Sequence, residues 1–190
     1  MKKIILASKS PRRLELLKSY DLDIEVISSD IEEITHGDEK PEQLSMALAF
    51  EKAYSVSIER KDQLVLGADT VVALEGKILG KPKDRDDAFR ILSLLSGKTH
   101  RVITGVSIIK GDKKIIDYES TLVSFRNLSK EQIIKYIDTD EPMDKAGAYG
   151  IQGYGKILIE SISGSYSNVV GLPLVKTDCI LTRFFDMQLL

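Results

Sequence analysis

At 190 residues, 43% hydrophobic and 29% charged, the chain has ordinary globular composition and enough length to bury a substantial core. Its formal net charge of −2 gives no general affinity for polyanions, which argues against duplex nucleic acid as a partner. One cysteine, Cys179, excludes an intramolecular disulfide and a cysteine metal cage, and two histidines, His36 and His100, leave little for a histidine-rich zinc site.

The apolar run Ile4-Ile5-Leu6-Ala7 reads as a buried strand that starts almost at once. That leaves no room for a signal peptide, and no apolar run approaches membrane-spanning length, so the expectation is a cytoplasmic chain; its length suggests one domain, 1–190, or one domain with two lobes. Ser8-Lys9-Ser10-Pro11-Arg12-Arg13 then joins this strand to a helical pattern carried by Leu14, Leu16 and Leu17. Ser10 is placed to cap the helix, with Pro11 at the first helical position. Arg12 and Arg13 sit at the end of the helix where the dipole disfavours cations. They make sense around a docked anion such as a phosphate, or as two solvated arginines on an ordinary capped helix.

Asp23 to Ser29 reads as a second strand, followed by an acidic segment with Glu32 and Glu33 and a polar loop through His36. Pro41 opens a long helix to about Arg60 that buries Leu44, Leu48 and Ala49; on charge alone, Lys52 is expected to face solvent. Gln63 to Leu74 is the most apolar stretch and favours strand, with a turn at Glu75-Gly76 into Lys77-Ile78-Leu79. Asp69 stands in its middle with nothing nearby in sequence to neutralise it. A buried carboxylate is costly unless paired, hydrogen-bonded or metal-bound. Gly67 beside it suggests a bulge or a close backbone approach, so Asp69 is read as catalytic, against the alternative of a partnered structural carboxylate.

After Gly80-Lys81-Pro82, Asp84 caps a helix from about Arg85 to Leu95, with Asp87 as its reciprocal partner and Gly97 just past the end. Thr99 to Ile109 and Lys114 to Phe125 form a hairpin about Gly111-Asp112, and Ser129 to Gln132 is a capping box for a short helix to Ile137. From Asp140 to Gly155 the chain carries Lys145, Gln152 and four glycines in nine residues, which suits either a ligand-wrapping loop or a mobile linker. Lys156 to Ser163 reads as a strand, Gly164 to Asn168 as a polar loop, and Pro173 as the start of a final helix. The mixture of a hairpin and crossing helices predicts a mixed α/β fold.

The chemical inventory is cations (Arg12, Arg13, Lys52, Lys81, Lys145), isolated carboxylates (Glu32, Glu33, Asp69), hydroxyls and glycines. There is no G-x-S-x-G, no Ser-His-Asp arrangement and no G-x-x-x-x-G-K-[ST]. Cations with isolated carboxylates are what metal-assisted phosphoryl chemistry requires, which points to a phosphate-ester or anhydride hydrolase.

Six blocks in order give the sequence a resemblance to a family. They are Leu6-Ala7-Ser8-Lys9-Ser10-Pro11-Arg12-Arg13, Gly67-Ala68-Asp69-Thr70, Gly80-Lys81-Pro82, Leu95-Ser96-Gly97-Lys98-Thr99-His100, Asp144 to Gly153, and Gly171-Leu172-Pro173. Together they resemble the Maf family of nucleotide pyrophosphatases over nearly the whole chain, and the Asp144 to Gln152 block is similar to its dTTP- and UTP-hydrolysing branch. The resemblance implies a mixed, twisted α/β sheet flanked by helices, with two lobes around a cleft, related to the inosine-triphosphate pyrophosphatases. It implies a nucleoside triphosphate substrate, a divalent cation (Mg²⁺ or Mn²⁺), no nucleic acid or membrane partner, and a homodimer. By position, Asp69 would be the proton acceptor, and Arg12, Thr70 and Gln152 would select the substrate. Ser8, Ser10, Arg13, Lys52 and Lys81 would meet phosphates, and Glu33 would hold the metal with Asp69. A purine or modified-nucleotide pyrophosphatase, and a nucleotide-sensing regulator tied to cell division, are the competing readings.

Overall fold

In the computed structural model of the chain the described residues are 2–29, 31 and 39–190. The expectations for Glu32, Glu33 and His36 lie outside them. The first strand, β1 (Lys2–Ala7), leads into helix α1 (Pro11–Leu17) and then β2 (Leu22–Val26), which pairs parallel to β1. Helix α2 (Pro41–Ser57) follows and delivers the chain to β3 (Val65–Leu74), parallel to β1 on its other side. Short β4 (Lys77–Leu79) folds back against β3. After α3 (Arg85–Leu95), the long strands β5 (Thr99–Lys110) and β6 (Lys113–Phe125) form the expected hairpin, and β5 lies antiparallel along most of β3. Helix α4 (Lys130–Ile137) precedes three 3-10 turns at Glu141–Asp144, Ala146–Ala148 and Tyr154–Leu158. The chain then adds edge strand β7 (Ile159–Ser163) and helices α5 (Tyr166–Val170) and α6 (Leu174–Phe185). The sheet order is β2-β1-β3-β5-β6-β7, with β4 beside β3: a mixed α/β fold, as the sequence predicts.

Several boundaries differ from expectation. The segment at 164–168 is not simply a polar loop: Ser165 caps α5 by accepting from Asn168 N. The strand expected from Lys156 begins only at Ile159, because a 3-10 turn precedes it. Asp84 caps α3 as predicted, but Asp87 accepts from Lys83 N rather than closing a reciprocal box. Ser129 and Gln132 do form the full capping box.

Alternation along the strands sorts the core into layers. On one face, Val65, Val71 and Ala73 of β3 and Ile103 and Ile109 of β5 pack beneath α2. This helix sits close because two strand positions carry no side chain. A Cβ at Gly67 would lie 2.4 Å from the Ala49 carbonyl oxygen, and one at Gly105 would lie 2.2 Å from that of Ser45. The reading of Gly67 as a close approach therefore holds, and the β3–β5 register passes it without a bulge. On the other face, Leu64, Leu66 and Ala68 pack with α1 and α6, while Val72, Leu74 and Val102 pack with α3 and α4. Thr70 and Thr104 fall between these two apolar clusters.

Candidate active site

The topology itself makes a crevice. β1 has parallel neighbours on both sides, and the crossovers from β1 to β2 and from β2 to β3 run through α1 and α2 on opposite faces of the sheet. In open α/β sheets the carboxyl end of a strand at such a switch point is where ligands bind. Here that end is Ala7-Ser8. β1 also leaves β3 after Gly67, and β4 joins the same edge of β3 only at Val72. Among the described residues the edge from Ala68 to Val71 therefore has no strand beside it, and this notch holds Asp69 and Thr70.

Asp69 points to the α2 face. Its Oδ1 accepts from Lys52 Nζ at 2.5 Å, and each side chain is only 12% exposed. This corrects one expectation, since Lys52 does not face solvent, and it supplies the pairing that a buried Asp69 requires. The physical reason lies in helix geometry, since Leu48, Lys52 and Val56 follow one another at four-residue steps along the buried stripe of α2.

Thr70, the next residue, points to the opposite face and belongs to a polar relay whose direction is fixed by proton counting. Arg13 Nη2 donates to Thr70 Oγ1 at 3.1 Å. Thr104 donates its one hydroxyl proton to the Asn168 carbonyl oxygen at 3.0 Å, so across the 2.9 Å Thr70–Thr104 contact Thr70 is the donor. Arg13 further donates from Nη1 to Ser8 Oγ at 3.1 Å and from Nε to the Gly171 carbonyl oxygen at 2.7 Å. The Asn168 amide donates to the Val102 carbonyl oxygen and to Thr121 Oγ1, extending the network to β6.

The turn after β1 differs from the sequence reading in detail. Ser10 occupies the N-cap position of α1 with extended backbone, but its side chain makes no capping bond; its N–H donates instead to Ser8 Oγ at 3.2 Å. Arg13 is buried and faces inward, while Arg12 Nη1 reaches Asp144 Oδ2 at 3.4 Å, across to the first 3-10 turn. Burial would raise the Asp144 carboxyl, but the hydrogen bond and charge of Lys145, with Arg12 beside them, outweigh it and hold the group below the usual carboxylate range. Lys145 itself is structural: its ammonium donates to the Glu141 carbonyl oxygen and to Asp144 Oδ1, each at 2.6 Å.

The structure thus brings Ser8, Ser10, Arg13, Thr70, Asp69 and Lys52 to the notch. Lys81 is exposed and lies one residue beyond Gly80, whose carbonyl oxygen accepts from Gly147 N at 3.0 Å. Gln152 is exposed on the glycine-rich loop and makes no hydrogen bond to the other candidates among the described residues. Sequence reasoning missed Thr104, Asn168 and Glu141. The first two looked like scaffold and loop, and the trace left by Glu141 was the run of glycines it requires. Among the described residues no group of three or more His, Cys, Asp or Glu is arranged to hold a metal ion, and no helix is long and apolar enough to cross a membrane.

The fold and notch define a class, mixed α/β proteins with a ligand crevice at a switch point. The Staphylococcus aureus Ham1 protein shares the fold at 16% identity and a TM-score of 0.51, over 83% of this chain and 80% of that one. A family model described as Maf-like protein matches residues 3–184. A dTTP/UTP pyrophosphatase of Thermoanaerobacter sp. (strain X514) is 51% identical, covering 99% of this chain and all of its own length. One from Clostridioides difficile (strain 630) is 50% identical over 98% of this chain and 97% of the relative. The chain belongs to the Maf family.

Proposed function

We propose that residues 1–190 act as one domain that hydrolyses dTTP and UTP to the monophosphate and pyrophosphate. The observation that carries this reading is a buried carboxylate–ammonium pair, Asp69 with Lys52, at a break in the sheet beside the carboxyl end of β1. The identity of about half to full-length relatives bearing that activity in their names supports the choice of substrate.

The triphosphate enters the notch from the Ser8 side. Ser8 Oγ already accepts from Arg13 and from Ser10 N, so its proton is left to donate to a phosphate oxygen. Arg13, with Nε, Nη1 and Nη2 each donating to a neutral oxygen, contributes fixed positive charge behind Ser8. Lys52 and Lys81 meet the phosphates, and the charge drawing Lys52 forward loosens its hold on Asp69. Asp69 then takes the proton of the attacking water as the α–β anhydride bridge opens and pyrophosphate leaves. Arg12, Thr70 and Gln152 select the base and so the substrate. Asp69, with Glu33 outside the described residues as the expected second ligand, would hold a magnesium-type cation, which needs only one or two protein carboxylates when phosphates supply the rest. When bound, it neutralises phosphate charge.

The test is release of pyrophosphate against orthophosphate from a panel of nucleoside triphosphates with Mg²⁺ or Mn²⁺. Pyrophosphate from dTTP and UTP supports the reading. Turnover of purine substrates alone overturns the substrate choice, and nucleotide binding without turnover overturns the enzyme.

A further inference from the structure

One carboxylate sits within the turn of the glycine-rich segment that carries Gln152. Glu141 Oε1 accepts from the Tyr136 hydroxyl at 2.9 Å and from Gly155 N at 3.1 Å, and Oε2 accepts from Tyr154 N at 2.7 Å. The Tyr136 oxygen in turn accepts from Gly150 N at 3.1 Å. A Cβ at Gly153 would lie 2.0 Å from Glu141 Oε2, and one at Gly155 would lie 2.7 Å from the Tyr136 oxygen. At Gly150 a Cβ would come within 3.2 Å of Glu141 Oε1. The chain from 150 to 155 is wound so tightly that a side chain at Gly153 would collide with this carboxylate and one at Gly155 with its tyrosine and the Gly150 carbonyl oxygen, while one at Gly150 would meet Lys145 first, at 2.8 Å. Hydrogen bonds thus anchor this stretch at Gly150, Tyr154 and Gly155.

Gln152 lies midway along the winding. Two residues before it, Gly150 N is held by Tyr136; two residues after it, Tyr154 N is held by Glu141. We propose that Glu141 is the positioning residue for nucleobase selection: it fixes the backbone on both sides of Gln152 and so fixes where the side-chain amide is presented. This rests on the reading of Gln152 as a base-selecting residue. An amide can read a uracil or thymine edge, or turn over and read the reversed donor–acceptor pattern of cytosine. Discrimination by hydrogen bonds therefore needs the amide held from outside itself, and a glycine-rich loop without anchors would not hold it. Bonds to an ionised carboxylate are the stronger kind, which suits Glu141 to that task.

The experiment compares UTP and CTP in the intact protein and in Glu141→Gln, which turns one acceptor oxygen into a donor facing an N–H or O–H. The expected result is a fall of about tenfold or more in the UTP:CTP ratio of kcat/KM, arising from a raised KM for UTP, with kcat on UTP within roughly threefold. Tyr136→Phe, which frees Gly150 N and removes one donor from Glu141, should move the ratio the same way by less, and it carries the test if Glu141→Gln does not fold. An unchanged ratio in folded variants, or an equal loss of kcat on both nucleotides, overturns the positioning role. No UTP turnover by the unaltered protein overturns the functional reading and this one with it.

Discussion

Asp69 and Thr70 are consecutive residues, yet they serve opposite faces of one strand and opposite kinds of electrostatics. On the α2 face, one carboxylate and one ammonium meet directly, and their closeness depends on Gly67 and Gly105 letting the helix down onto the sheet. On the other face, a buried guanidinium donates to three neutral oxygens of the described residues, and a directed run of hydroxyls passes the polarity on to Asn168. A localised pair can exchange a partner when a charged substrate arrives. A relay in which Thr70 and Thr104 have each given up their one hydroxyl proton holds its shape. The notch thus joins a reactive wall to a rigid one, and the two should fail differently.

The largest expected effect lies on the reactive wall. Asp69→Asn keeps an acceptor for Lys52 but removes the proton acceptor, so pyrophosphate release should drop by about 10²–10⁴ with the fold intact. Near-normal turnover would move the general base elsewhere. The rigid face should instead show itself in stability. His100 shares that face in the neighbouring apolar cluster, 2% exposed, with Nε2 2.7 Å from the Tyr149 hydroxyl. Burial pushes its pKa down from 6.5 to about 4. Between those values the unfolded chain binds the extra proton and the folded one does not, so this contribution is complete above pH 6.5 and is lost as pH falls toward 4. The shift corresponds to about 3 kcal/mol. Urea midpoints at pH 7 and pH 4.5 should separate strongly in the unaltered protein and less in His100→Phe. Equal separations would remove His100 as the cause. Smaller again, Thr104→Val should cost about 1–2 kcal/mol, because the Thr70 hydroxyl and the Asn168 carbonyl oxygen each lose their bond to residue 104 while the volume is kept. If the cost is negligible, the relay is not what makes that wall rigid.

How much of this could be read beforehand depends on the distance over which each cause acts. Capping at Ser129, the Gly111 hairpin and the buried strand β1 follow from neighbouring residues, and each forms where expected. Asp69 stood out because a charge in an apolar strand is anomalous in any fold. Its partner was present in the spacing Leu48–Lys52–Val56, but charge alone argued for solvent, and burial on the helix stripe won. The relay was not legible, since Arg13, Thr104 and Asn168 are brought together only by the crossing of α1, β5 and α5. Glu141 looked like one more surface acid before Pro142. Its glycines were visible, but the collision that requires them is a tertiary fact.

The smallest expected effect concerns the contact between the two sides of the notch. Arg12 of α1 reaches Asp144 at 3.4 Å, with the Arg12 side chain 30% exposed and that of Asp144 67% exposed. An exposed pair at that distance contributes little, since water and salt screen it and two long side chains must be ordered to make it. Arg12→Gln, which removes this contact and leaves the Lys145–Asp144 bond in place, should change stability by less than about 0.5 kcal/mol, with the difference shrinking further as salt is added. Such a result would sharpen the contrast between the walls and the contact that bridges them. Each wall would be held by buried bonds of its own, and the crossing at Arg12 would yield readily when a polyanion competes for the guanidinium. A cost above about 1.5 kcal/mol would instead make the bridge part of the rigid wall, and the notch would have to be treated as closed at that end.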